Sequence, residues 1–105
     1  MQIELEIDGK KRVFTAPFVP MLAKRKYMQL MAEAEKREEP PTYEEQLKEE
    51  DELVSILADI VFRGQFTVED VYKGASDEYI YEKLNEAIFG KRKNEVEKGN
   101  EQMGK

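Results

Sequence analysis

Seven of the ten residues from Leu53 to Phe62 are large and apolar: Leu53, Val54, Ile56, Leu57, Ile60, Val61 and Phe62. No single narrow helical stripe holds so many, so this stretch must be nearly surrounded by the rest of the chain and forms the centre of its core. A chain of 105 residues, 40% of them apolar, has material for one such core and therefore one domain. The helix that carries the stretch starts at Tyr43, where Thr42 followed three residues later by Glu45 makes a capping box. Its first half is acidic (Glu44, Glu45, Glu49, Glu50, Asp51, Glu52), and Gly64 stops it just past Phe62.

The other elements are read by their periodicity and punctuation. Ile3, Leu5 and Ile7 alternate with Glu4, Glu6 and Asp8, and a turn at Asp8-Gly9 precedes Val13 and Phe14, which predicts an N-terminal β-hairpin. An Asp8-Gly9 loop sets Leu5 opposite Arg12, whereas a Gly9-Lys10 loop sets Leu5 opposite Phe14. The second register is favoured here, as keeping the apolar residues on one face. Pro17 and Pro20 keep residues 15–20 extended, with Phe18 and Val19 expected to plug the core. A helix follows from Met21 to about Arg37, with a broad apolar face, and the Pro40-Pro41 loop separates it from the acidic helix. Thr67 with Asp70 caps a short helix closed by Lys73-Gly74, and Ser76 caps a last helix, Asp77 to about Phe89, ended by Gly90. The expected fold is thus α+β and mostly α: a short hairpin, then three to four helices. Residues 1–90 make one globular domain, and residues 91–105 a flexible, disordered or loosely helical charged tail.

Several chemistries are excluded by what the chain lacks. It has neither cysteine nor histidine, so disulfides, thiolate or imidazole metal sites and nucleophile triads are out of reach. Serine occurs only at Ser55 and Ser76. No apolar stretch is long enough to span a membrane and no secretory pattern opens the sequence, so the cytoplasm is the expected compartment. Seventeen basic against twenty-three acidic residues give a net charge of −6, which opposes nucleic-acid binding. The tail alone is basic, at +2, and the preceding ninety residues carry −8.

Acidic residues are the only stock for metal or acid–base chemistry, and their crowding with Lys48 on one helix reads as a solvated face. No metal, cofactor or catalytic residue is expected. Methionines and tyrosines are more informative. Met21, Met28 and Met31 share one region of a helix with Tyr27, and methionine is over-used where a surface accepts varied apolar partners. Filling the core is the favoured reading for Met28 and Met31, and core and surface weigh nearly evenly for Tyr27, Tyr79 and Tyr81, whose hydroxyls want a wet edge. Met21, Tyr27, Met28, Met31, Tyr79 and Tyr81 are the candidate protein-binding residues.

Taken in order, the hairpin, the run Phe14-Thr15-Ala16-Pro17-Phe18-Val19-Pro20, the helix opening Met21-Leu22-Ala23-Lys24-Arg25, the acidic loop and Phe62-Arg63-Gly64-Gln65-Phe66-Thr67-Val68-Glu69-Asp70 resemble one family over residues 1–90. It is that of the tail assembly chaperones of long-tailed, siphovirus-like phages and prophages of Gram-positive bacteria. The resemblance implies a non-enzymatic protein of the host cytoplasm, absent from the mature virion, that binds the tape-measure protein and helps recruit tail-tube subunits. It also implies that a longer form can arise by ribosomal frameshifting. The end of this chain, Met103-Gly104-Lys105, is codable as a slippery heptamer, which would make the tail a linker. Self-association is compatible with all of this. Two other readings stay open: a structural virion component, either a head–tail connector or a tail terminator, and an acidic inhibitory module using Glu44 to Glu52.

Overall fold

The computed structural model describes the backbone of residues 1–99 and the side chains of residues 1–90. Two antiparallel strands, β1 (Gln2–Ile7) and β2 (Lys10–Thr15), are followed by four helices among the described residues. These are α1 (Met21–Glu35), α2 (Tyr43–Ser55), α3 (Val68–Gly74) and α4 (Asp77–Gly99). The α+β architecture expected from the sequence is the one observed.

The hairpin register is corrected. Ile3 pairs with Phe14 and Leu5 with Arg12, so the loop is Asp8-Gly9 and not Gly9-Lys10. Asp8 (φ 55°) and Gly9 (φ 77°) both lie in the left-handed region, as a type I′ turn requires. The two registers differ by two residues, so the parity of the faces is the same in both, and burial could not choose between them. Arg12 occupies the inner face beside Phe14 and brings its guanidinium 5.7 Å from that ring's centroid. Beyond the strands, the Ala16 N–H donates to the Met1 carbonyl (2.8 Å) and the Met1 nitrogen to the Ala16 carbonyl (2.9 Å), which carries the pairing up to the proline segment.

Phe18 is the second correction, because it does not plug the core. Its side chain is 57% exposed, Val19 is only half-buried, and it is Ala16 that is buried instead. The turn between Pro17 and Pro20 swings Phe18 outward, where the Arg63 guanidinium lies 5.2 Å from its ring centroid.

The apolar stretch from Leu53 to Phe62 is the centre of the core. Val54, Ile56, Leu57, Ala58, Val61 and Phe62 are all buried. After Ser55 the helix changes its winding, and Ile56–Val61 forms a π-helical segment. The Phe62 N–H donates to the Leu57 carbonyl and the Gly64 N–H to that of Ala58. The wider winding distributes the apolar residues around the axis and ends at Arg63 (φ 54°) and Gly64 (φ 83°). Phe66 then turns back into the core and meets Phe62 at 5.2 Å and Phe14 at 5.0 Å between ring centroids. Burying each such ring contributes about 1.5–3 kcal/mol.

The expected caps are formed. Thr42 and Glu45 make a reciprocal capping box, as do Thr67 and Asp70, and the Tyr79 N–H donates to Ser76 Oγ (3.2 Å). Through Ile80, Leu84 and Ile88, α4 contributes to the core up to Gly90, whose φ of 78° and ψ of 160° interrupt it. Helical backbone resumes to Gly99. The expectation of a flexible tail concerns side chains beyond Gly90, and residues 100–105 altogether, that lie outside the described residues. The same holds for Met103-Gly104-Lys105.

Candidate protein-binding surfaces

Six candidate residues fall into four different environments. On α1, Met21 and Met28 are seven positions apart, two helical turns, and both point outward with 80% and 58% exposure. Leu22 and the preceding Phe18 are exposed too, and Lys24 and Arg25 stand among them. This end of α1 is therefore an apolar row with basic neighbours. The opposite side of the helix holds Ala23 and Leu30 in the core. Tyr27 and Met31 sit at the boundary, half-buried against the core, and the Tyr27 ring packs edge-on to Phe89 at 5.7 Å.

Tyr79 stands apart from these. Its hydroxyl accepts from the backbone N–H of Glu4 (2.9 Å), so the phenol satisfies a donor on the unpaired edge of β1. Its ring carries the Lys83 ammonium 5.6 Å from the centroid. Tyr81, one turn into α4, faces α2 and lines a groove with Tyr43, Leu47, Glu50 and Leu53.

Sequence reasoning missed Phe18, Leu22, Tyr43, Leu47 and Tyr72 as exposed apolar groups. For Tyr43 and Leu47 a signal was present. With Glu50 and Val54 they form one helical stripe, interrupted in sequence by the acidic residues between them.

The acidic half of α2 is largely engaged within the molecule. Lys26 approaches Glu52 (3.5 Å), which ties α2 to α1, and Arg37, just past the end of α1, holds Glu49 (3.0 Å). Glu45 serves the cap and Tyr72 donates to Asp51. Burial, the bond to Asp51 and the charges of Asp51 and Glu50 push the Tyr72 phenol well above its ordinary range. Burial first, then the charge and hydrogen bond of Glu50, raise Tyr81 likewise. Among the described residues no group of three or more Asp and Glu side chains is placed to hold a metal ion, and no helix is long and apolar enough to cross a membrane.

What the arrangement offers chemically is surface: apolar and aromatic groups left bare on a domain whose core is already closed. No curated protein and no solved structure matches the chain. The family described as "Phage tail chaperone protein" matches residues 1–105, the whole of it. The motif order read from the sequence and a match that spans every residue agree, and the chain belongs to the phage tail chaperone protein family.

Proposed function

We propose that the protein is the tail assembly chaperone of a long-tailed phage or prophage of a Gram-positive host, that it binds the tape-measure protein, and that the α1 face of Met21 and Met28 is the contact. The observation that carries this reading is the exposure of Met21, Leu22 and Met28 on a helix whose other side is fully committed to the core. A tape-measure chain is long, helix-prone and rich in apolar surface, so it aggregates unless shielded before its tube assembles. Flexible thioethers suit a surface that must accept many similar but unequal segments. In the same reading residues 1–90 are the chaperone domain and residues 91–105 its charged tail. Tail-tube subunits are recruited by a longer form, and the protein acts in the host cytoplasm and is absent from the finished virion. An acidic inhibitory role is disfavoured, because Glu45, Glu49, Asp51 and Glu52 are engaged with groups of the chain itself.

Co-expression tests the proposal. Tape-measure segments that are insoluble alone should stay soluble with the parent chain and precipitate with a Met21→Ser/Met28→Ser variant that melts like the parent. If the folded variant keeps them soluble, the α1 face is not the contact. If the parent itself does not, the tape-measure protein is not the client. Detection of the chain in purified particles would favour a structural virion component instead.

A further inference from the structure

The core-facing stripe of α2 is longer than the layer that covers it. Tyr43, Leu47, Glu50 and Val54 follow one another at spacings of four, three and four, which places them on one side of the helix. At the inner end Val54 is buried, and with Glu50 it joins Val71 and Tyr72 of α3 and Ile80 and Tyr81 of α4 around a depression of about 220 Å³. At the outer end Tyr43 and Leu47 are 85% and 64% exposed, and with Leu53 and Tyr81 they floor an adjoining groove of about 380 Å³. The covering layer thus stops at Tyr81, about two helical turns before the stripe does.

The charge of the groove is one-sided. Glu49 and Glu50 line it and Asp77 lines the adjoining depression, and among the described residues no lysine or arginine lines either. Arg37 balances Glu49 from beyond the end of α1, and among the described residues no lysine or arginine forms an ion pair with Glu50 or Asp77. The hydroxyl of Tyr72 donates to Asp51, and the rings of Tyr72 and Tyr81 line the depression.

These features specify the occupant. A bare apolar stripe beside a truncated helical layer is completed by another helix, with apolar residues three and four apart. An acidic rim takes lysine or arginine and repels a helix that carries acid there. Tyrosine rings accept both an aliphatic side chain and a cation. We propose that the groove docks a basic amphipathic helix of a partner protein, its apolar side against Tyr43, Leu47 and Tyr81 and its lysines or arginines over Glu50 and Asp77. The inference rests on the chaperone reading only in taking the partner to be helical, and it concerns a different element from the Met21 and Met28 face.

Two synthetic helical peptides with the same leucine pattern, one with lysine and the other with glutamate at the polar positions, are titrated against the full chain at physiological salt. The lysine peptide should bind and the glutamate peptide should not. Leu47→Ser, at an exposed position, and Glu50→Lys should each weaken binding by about tenfold. Glu44→Lys makes the same change in net charge away from the groove and should leave the affinity within about twofold. Equal losses from Glu50→Lys and Glu44→Lys would reduce the effect to bulk charge and overturn the proposal. So would equal binding of the two peptides, or sedimentation showing that the parent self-associates and Leu47→Ser does not, which would make the occupant a second copy. None of these outcomes touches the α1 face, whose failure is read separately in tape-measure solubility.

Discussion

The side-chain amide of Gln65 donates to the main-chain carbonyl of Thr15 at 3.0 Å, across a separation of fifty positions in sequence. Two further contacts join the same segments: the ring pair Phe14–Phe66 and the Arg63 guanidinium over Phe18. The two short stretches that carry the family resemblance therefore meet in space. They fasten the hairpin and its proline exit to the point where the core helix ends, which gives both motifs a folding role.

Loss of these contacts should register as stability. Gln65→Ala removes one exposed hydrogen bond and should lower the unfolding free energy by about 0.5–1.5 kcal/mol, whereas Phe66→Ala empties a buried ring site and should cost about 3–5 kcal/mol. Urea unfolding measures both. A Gln65→Ala protein as stable as the parent but unable to bind tape-measure segments would reassign the motif from folding to recognition.

Gly74 ends α3 where it crosses β1. A Cβ there would lie 2.5 Å from the Glu6 carbonyl oxygen and 3.0 Å from its nitrogen. Both are backbone atoms that cannot rotate away. Alanine in place of glycine ordinarily stabilises a helix by about 1 kcal/mol, but here the overlap should dominate and leave a net loss of about 1–3 kcal/mol. Gly9→Ala serves as the contrast, since nothing lies within 4 Å and only its φ of 77° opposes the change. Thermal melts should rank Gly74→Ala below Gly9→Ala.

Local chemistry was legible and long-range choice was not. Thr42, Thr67 and Ser76 announce their helices because a cap is decided by the residues within one turn of it. The core stretch was legible from density alone. The hairpin register was not, because a shift of two preserves every face, and the deciding fact was that Asp8 and Gly9 both tolerate positive φ. Phe18 looked like core because it is large and apolar, yet its direction is set by a turn between two prolines and by Arg63, forty-five positions away. Of the candidate site, the outward pair on α1 was within reach of the 3.6-residue period. The use of Tyr79 to satisfy the Glu4 N–H requires knowing where α4 lands on β1, which no local pattern encodes.

The two raised phenols predict an alkaline limit. In the unfolded chain Tyr72 ionises at its ordinary value of 10.0, while in the folded chain burial and the neighbouring carboxylate keep it protonated well above that. The neutral form is the one the fold favours, so this contribution is complete below about pH 10 and is lost as pH rises beyond it. Tyr81 is shifted in the same direction. Tyrosinate absorbance should retain a late-ionising fraction in the native protein, and Tyr72→Phe should remove part of it and flatten the fall of the melting temperature above pH 10. A late-ionising fraction left unchanged by Tyr72→Phe would contradict the hydrogen bond to Asp51.

The four candidates on α1 should divide into two pairs by stability before any partner is added. Met28 is exposed, and Met28→Ser deletes no buried contact, so the unfolding free energy should stay within about 0.5 kcal/mol of the parent. Met31, three positions further on, is rotated about 60° around the helix from Met28 and is packed against the core cluster, and Met31→Ser should cost about 1–3 kcal/mol by leaving a gap and placing a hydroxyl there. Met21 should follow Met28, and Tyr27→Ser should follow Met31, since it also loses the edge contact with Phe89. Denaturant titration of the four single variants decides this. Only if Met21 and Met28 prove neutral can their effect on tape-measure solubility be read as binding. A loss of more than about 1 kcal/mol in Met28→Ser would mean that this side chain supports the fold, and the α1 contact would then have to be sought at Leu22 and Phe18.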